Sequence, residues 1–189
     1  MKYFRKLEGD LCYLSPINPD DAERYTRWLN DPEVAVNLTV FSSMITLNGE
    51  REILEKLSKE YVFAIVDKEI DEPIGNCGLQ KLDFVNRTCE VGIFIGEKDY
   101  WGKGYGTEAM RLLLDFAFGI LGLENVMLEV YEYNRRAISS YKKCGFKEIG
   151  RRRGAKFVAG KRYDIIFMDI LRDEFKGSSI GKLLRYIEE

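Results

Sequence analysis

The sequence predicts a mixed α/β protein, a sheet with helices packed on it, and not a strictly alternating βαβ array. Three observations carry this. Two segments with helical apolar spacing come first, three β-rich segments follow with only short turns between them, and the last third alternates before closing on two strands. The resulting order is β, α, α, β, β, β, α, β, α, β, β.

Each element has a local reason. Leu11 to Leu14 reads as a short strand stopped by Ser15-Pro16. Pro19 to Asn30 places acidic residues in a first turn and Ala22, Tyr25, Trp28 and Leu29 at helical spacing, and Asp31-Pro32 ends it. Thr46 to Glu60 is a second amphipathic helix, with Ile53, Leu54 and Leu57 on one side. Tyr61 to Val66, Ile74 to Leu79 and Thr88 to Ile95 are strands, the second broken by Gly75 and Gly78. Arg111 to Leu121 is apolar nearly all round, so it should be covered on most sides. Val126 to Val130 is a strand, Asn134 an N-cap, and Cys144-Gly145-Phe146 a glycine-terminated helix end. Lys147 to Arg151 and Tyr163 to Leu171 are the closing strands. One domain is expected over residues 1–175, with a C-terminal tail, 176–189, helical from Ile180 to Ile187.

Composition narrows the class. The chain has 189 residues, 46% hydrophobic and 32% charged, enough for a sizeable core. The net charge of −2 argues against a nucleic-acid binder that works through overall basic charge. No apolar run is long enough to span a bilayer and no secretory h-region follows Met1, so a cytoplasmic location, away from membranes, is expected. The four cysteines have no Cys-x-x-Cys spacing and read as buried free thiols. There is no histidine, which removes Ser-His-Asp and Cys-His chemistry and argues against a zinc site; no metal is expected. Proton transfer must fall to carboxylates, tyrosine, cysteine, lysine or water.

Two segments carry chemistry. Trp101-Gly-Lys-Gly-Tyr-Gly-Thr107 sets three glycines before a helix, where backbone N–H groups and the positive helix end can hold phosphate oxygens. Lys103 is followed by Gly104, so a Walker loop is excluded. Gly104-x-Gly106-x-x-Ala109 approaches a dinucleotide fingerprint, but residues 96–101 separate it from the preceding strand. A glycine-rich turn that only launches a helix is the structural alternative. The second segment, Asn134 to Phe146, is a short helix with Ala137 one turn before Tyr141 on the same face.

Taken together, Trp101-x-x-Gly104-x-Gly106 after Glu90-Val-Gly-Ile-Phe-Ile95, and before Asn134-x-x-Ala137-x-x-x-Tyr141-x-Lys143-x-Gly145-Phe146, resembles the GNAT N-acetyltransferase superfamily. Asp20-Asp-Ala-Glu, Arg27-Trp-Leu-Asn-Asp-Pro-Glu33 and Tyr100 to Ala109 are similar to the branch that contains the ribosomal-protein N-terminal acetyltransferases. The resemblance spans roughly residues 10–172. Trp101 departs from the glutamine or arginine common there, and the tail lies outside it.

The resemblance implies a GNAT acyl-CoA N-acyltransferase fold: about seven strands, splayed near the middle, with helices on both faces. It implies acetyl-CoA as co-substrate, its pyrophosphate held by backbone amides of Gly102, Lys103, Gly104, Tyr105, Gly106 and Thr107. Its pantetheine arm would pair with the strand at Phe94 and Ile95. Asn134 would contact that arm, Ala137 would admit it, Lys143 would reach the 3′-phosphate, and Tyr141 would protonate the departing thiolate. Each has a purely structural counterpart: a helix cap for Asn134, a core tyrosine for Tyr141, solvated charge for Lys143.

Glu90 is the candidate base, or alternatively a salt-bridged structural residue. An α-amine of pKa near ~8 costs roughly 1 kcal/mol to present neutral at pH 7, against about 4–5 kcal/mol for a lysine-like amine near ~10.4. An α-amine or another weakly basic amine is the lighter demand, and the acceptor is expected to be a primary amine, whether of a protein N-terminus, a polyamine, an aminoglycoside or a small metabolite. The acceptor is expected to enter near Trp28 and the loop from Phe41 to Thr46. A homodimer through an exposed sheet edge stays open, as do a CoA-binding regulatory module without turnover and a nucleotide-dependent oxidoreductase.

Overall fold

A computed structural model describes residues 2–177. The expected tail helix lies outside the described residues. The chain forms two compact units, Met1–Gly78 with Ile93–Gly106, and Leu79–Gly92 with the chain from Thr107 on. The divisions fall inside two strands and one helix.

The first unit opens with β1 (Leu7–Glu8) and β2 (Cys12–Pro16). A 3₁₀ turn, Pro19–Asp21, leads into α1 (Ala22–Asn30). Asp31 does end α1, but Pro32 starts a further turn, α2 (Pro32–Ala35), for which Asp31 is the N-cap: its carboxylate accepts from the Glu33 N–H. Proline suits the first turn because the N–H it lacks has no partner there in any case. After a 3₁₀ turn at Thr39–Ser42, Thr46 caps α3 (Leu47–Leu57) through its hydroxyl and the Gly49 N–H.

The buried stripe of α3 holds Glu50 and Leu54, while Ile53 stands 48% exposed. This corrects the expected apolar side. The spacing 50-54-57 places Glu50 with Leu54 and Leu57 on one helix face, and a carboxylate in that stripe hides it from a hydrophobicity reading.

β3 (Val62–Asp67) is buried at all six positions, as befits a strand covered on both faces. It lies between β2, with Leu14 opposite Ile65, and β4 (Pro73–Asp83), with Ile65 opposite Gly75. Gly75 and Gly78 do not break β4. A Cβ on Gly75 would come 2.1 Å from the Phe94 carbonyl oxygen, so glycine there permits the close approach of β5 (Thr88–Ile95). The core of this unit gathers Tyr3, Tyr13, Tyr25, Trp28, Leu54 and the β3 side chains, with Phe94 and Trp101 packed against it.

In the second unit, β5 pairs in parallel with β6 (Asn125–Tyr131), β6 antiparallel with β8 (Lys161–Leu171), and β8 antiparallel with β7 (Lys147–Val158). The strands among the described residues number eight, against about seven expected. The β7–β8 hairpin is longer than expected. Val126, Leu128 and Val130 share a buried face with Ile166, Met168 and Ile170. The opposite face, with Met127, Glu129 and Tyr131, stays partly exposed.

Helix α4 (Tyr105–Asp115) begins six residues before Arg111, then widens into a π-helical segment at Phe116–Ile120. Its buried residues, among them Met110, Leu112, Leu113 and Leu114, go well round the helix, as its composition requires. Helix α5 (Arg135–Cys144) is capped by Asn134 and ended by Gly145 at φ 103°. The four cysteines are free and buried. No helix among the described residues is long and apolar enough to cross a membrane.

Candidate active site

In the first unit, a 3₁₀ turn at Lys98–Tyr100 leads into Trp101-Gly-Lys-Gly104 and the first residue of α4. Gly102 and Gly104 have φ of 76° and 98° and are exposed. That backbone turns left-handed twice within three residues, which side chains with a Cβ resist. The first four N–H groups of α4 have no acceptor inside the helix. Three of the residues expected in a loop, Tyr105, Gly106 and Thr107, are first-turn helix residues, and the anion-holding capacity comes from a helix start as well as a loop.

Tyr105 anchors that helix start. Its hydroxyl donates to Asp67 Oδ2 at 2.7 Å, and its ring meets Tyr100 edge-on with centroids 4.9 Å apart. Asp67, 3% exposed at the end of β3, also accepts from the N–H groups of Glu69 and Ile70. Burial pushes its carboxyl up, but donors from Ile70, Tyr105, Glu69 and Tyr100 outweigh it and hold the pKa below the ordinary value. Burial, then the hydrogen bond to Asp67, raises the Tyr105 phenol in turn. Asp67, Glu69, Asp99 and Lys103 share a hollow beside this turn.

Trp101 has a role that its departure from the common residue did not announce. Its indole N–H donates to the Ile95 carbonyl at 2.8 Å, tying the glycine turn to the end of β5. One lone pair of that carbonyl is thus already used. Trp28 is 2% exposed, packed against Tyr25 and Phe94, and its indole N–H donates to Glu97 Oε1 at 3.1 Å. A Cβ on Gly96 would meet the Trp28 ring at 2.2 Å. Trp28 therefore stands in the core and not on a surface that an acceptor could touch directly, whereas Phe41 is 39% exposed.

In the second unit, the parallel register of β5 with β6 ends at Glu90 opposite Met127, and β6 runs on to Tyr131 paired with β8. β5 itself runs on to Ile95. Glu90 shares the face of Met127 and Glu129, as the alternation predicts. Its carboxylate accepts from Lys81 Nζ at 2.8 Å, and this pairing raises the Lys81 pKa.

Asn134 Oδ1 accepts from the Ala137 N–H at 3.1 Å, so the capping role is filled by the side chain itself. Thr107 and Ser140 share a hydroxyl hydrogen bond at 2.8 Å, and Arg111 donates to the Lys143 carbonyl at 3.0 Å. These bonds join α4 to α5, a link that the sequence did not announce. Lys143 itself is exposed.

Tyr141 is 8% exposed, its ring tilted against Phe146 at 5.9 Å. Burial raises its phenol well above the ordinary value, with a smaller contribution from Cys144. A phenol held this way keeps its proton across the physiological range, and the same burial makes it a weaker acid than it is in water.

Comparison with known proteins agrees with these features. The model of the acetyltransferase (GNAT) domain matches residues 12–147. The chain is 30% identical over 169 residues to the uncharacterized N-acetyltransferase p20 of Bacillus licheniformis, covering 87% of this chain and 94% of that protein. It is 34% identical over 103 residues to YdaF of Bacillus subtilis, provisionally named a ribosomal N-acetyltransferase, covering 54% of this chain and 56% of that one. The fold matches spermidine N-acetyltransferase of Vibrio cholerae, solved with CoA and spermine, at a TM-score of 0.79 and 23% identity, over 89% of this chain and 100% of that one. The exposed glycine turn and the helix start fit the pyrophosphate of acetyl-CoA, the co-substrate of such enzymes. The chain belongs to the GNAT family and is an acetyl-CoA-dependent acyltransferase.

Proposed function

We propose that the acceptor is a primary amine of low basicity, a protein N-terminal α-amine or a small-molecule counterpart, acetylated directly and without a covalent enzyme intermediate. The amine nitrogen attacks the thioester carbonyl, the carbon–sulfur bond breaks, and Tyr141 gives its phenolic proton to the departing thiolate. Backbone amides of Gly102 through Thr107 hold the pyrophosphate, and Phe94 and Ile95 pair with the pantetheine arm. Asn134 contacts that arm, Ala137 leaves room for it, and Lys143 reaches the 3′-phosphate.

The buried Tyr141 phenol on α5, 8% exposed, is the observation that supports this reading. The base is the weaker demand. Glu90 is engaged by Lys81, so the amine proton leaves through water, or through Glu90 after that ion pair opens. A base of this kind suits an acceptor that is partly neutral at pH 7, since an α-amine near ~8 needs only about 1 kcal/mol. The provisional name of the Bacillus subtilis relative points the same way, to a protein N-terminus.

Tyr141→Phe keeps the ring and removes the proton donor. The expected result is a fall in kcat on the order of 10²-fold with an α-amine acceptor, with acetyl-CoA affinity unchanged. An unchanged kcat from pH 6 to 9 overturns the assignment of the acid. Turnover across a panel of amines, read by product mass, identifies the acceptor. Efficient transfer to lysine-like amines alone overturns the preference for low basicity.

A further inference from the structure

A second feature lies on the β7–β8 hairpin, which carries none of the residues assigned above to acetyl transfer. Residues 147–163, most of the β7–β8 hairpin, carry seven lysines and arginines against one carboxylate, Glu148, in a chain whose total charge is −2. The arm is thus +6 locally while the rest of the protein is acidic.

The cations differ in how they are held. Lys147 pairs with Glu174, and Arg151 pairs with Glu148 at 2.5 Å, with Glu132 and Asp164 near 4 Å. Arg152, Arg153 and Lys161 are exposed and form no ion pair with any carboxylate among the described residues. Water solvates these like charges, whose mutual repulsion is modest, and a polyanion would relieve that repulsion.

Aromatic rings interleave with this charge. Phe157 is 63% exposed, far more than a structural phenylalanine needs, and the Arg162 guanidinium lies 5.9 Å from its ring centroid. In the strand register Arg162 stands opposite Phe157, and Lys156 opposite Tyr163. Tyr163 meets Tyr133 edge-on at 4.9 Å, and the Lys156 ammonium lies 4.3 Å from the Tyr131 ring centroid.

We infer that the β7–β8 arm docks single-stranded or loop RNA, with Arg152, Arg153 and Lys161 on phosphates and Phe157 stacking on a base. Charge complementarity calls for a polyanion, and the exposed ring separates RNA from an acidic protein. Base–aromatic stacking is available to every nucleotide and absent from a carboxylate-rich peptide. The overall charge does not oppose this, because binding depends on the local patch within a Debye length of about 8 Å.

The test uses the full chain and a fluorescent 20-nucleotide oligouridine, followed by anisotropy from 50 to 300 mM salt. Three phosphate contacts predict a slope of log K against log salt of about −2. The triple variant R152E/R153E/K161E should weaken binding at least tenfold, and F157A about fivefold or more, while both keep wild-type acetyl transfer to a small amine. Retained transfer shows that the fold is intact. Poly-glutamate serves as the competing polyanion. If it binds as tightly as oligouridine, or F157A weakens both equally, the partner is an acidic protein and the RNA assignment is overturned. Absence of any salt-dependent binding overturns it as well.

Discussion

A carboxyl group sealed from water and left without a donor weakens a fold whenever it ionises, and Glu50 is placed that way on α3. It is 3% exposed, its Oε2 has no hydrogen-bond partner, and burial raises its pKa above the ordinary 4.5. Because the folded value lies above the unfolded one, the folded state binds this proton more tightly. The stabilisation is full below pH 4.5 and is lost as pH rises through the folded value. Glu50→Gln removes the ionisation and should raise Tm at pH 7.5, by roughly 2–4 °C for each ~1 kcal/mol of relief. The gain should shrink as the pH is lowered toward 4.5. Thermal unfolding followed by circular dichroism at the two pH values checks this, and an equal gain at both would trace the effect to packing instead. The same residue shows one limit of reading sequence. A glutamate in a helix counts as polar, so Ile53 was expected inward, and only the packing of α3 shows that the stripe runs through Glu50.

Elements were legible where their ends carry distinctive chemistry. Asn134 and Gly145 bracket α5 as capping rules require. The start of α4 was not legible, because Gly104 and Gly106 read alike as loop, yet one precedes the helix and the other lies within it. The β7–β8 hairpin was underestimated for a related reason: Arg151-Arg-Arg153 shows no apolar alternation although all three lie in the strand. What holds α4 in place is a contact distant in sequence, from the Tyr105 hydroxyl to Asp67. Tyr105→Phe keeps the ring and loses that bond, which at a partly exposed site is worth about 1 kcal/mol. The expected outcome is a rise of roughly fivefold in KM for acetyl-CoA with kcat unchanged, because the lost contact serves binding in ground and transition state alike. Gly75→Ala tests the strand pair in the same unit. Its Cβ would drive into the Phe94 carbonyl and should destabilise by about 1–3 kcal/mol, read from the denaturation midpoint.

At the scale of the whole molecule, the absence of histidine determines how the activity must respond to pH. Histidine is the side chain whose ordinary pKa falls between 5 and 8, so the usual source of a neutral-range inflection is missing. Burial pushes the Cys89 thiol up to about 12 and the Cys144 thiol up to about 11, and the Tyr141 phenol rises still further. Ionisation of Tyr141 therefore leaves the rate untouched until strongly alkaline pH. An inflection of kcat/KM between pH 6 and 9 must then belong chiefly to the acceptor amine, whose neutral form is the nucleophile. With an α-amine acceptor, kcat/KM should rise tenfold per pH unit below ~8 and level off above it. With a lysine-like acceptor offered to the same enzyme, the rise should continue toward ~10.4. Profiles measured with the two amines side by side separate the cases: inflections that track the acceptor place the proton chemistry there. A shared inflection near neutrality would instead require an ionising group of the protein, with Glu90, opened from Lys81, the first to test by Glu90→Gln.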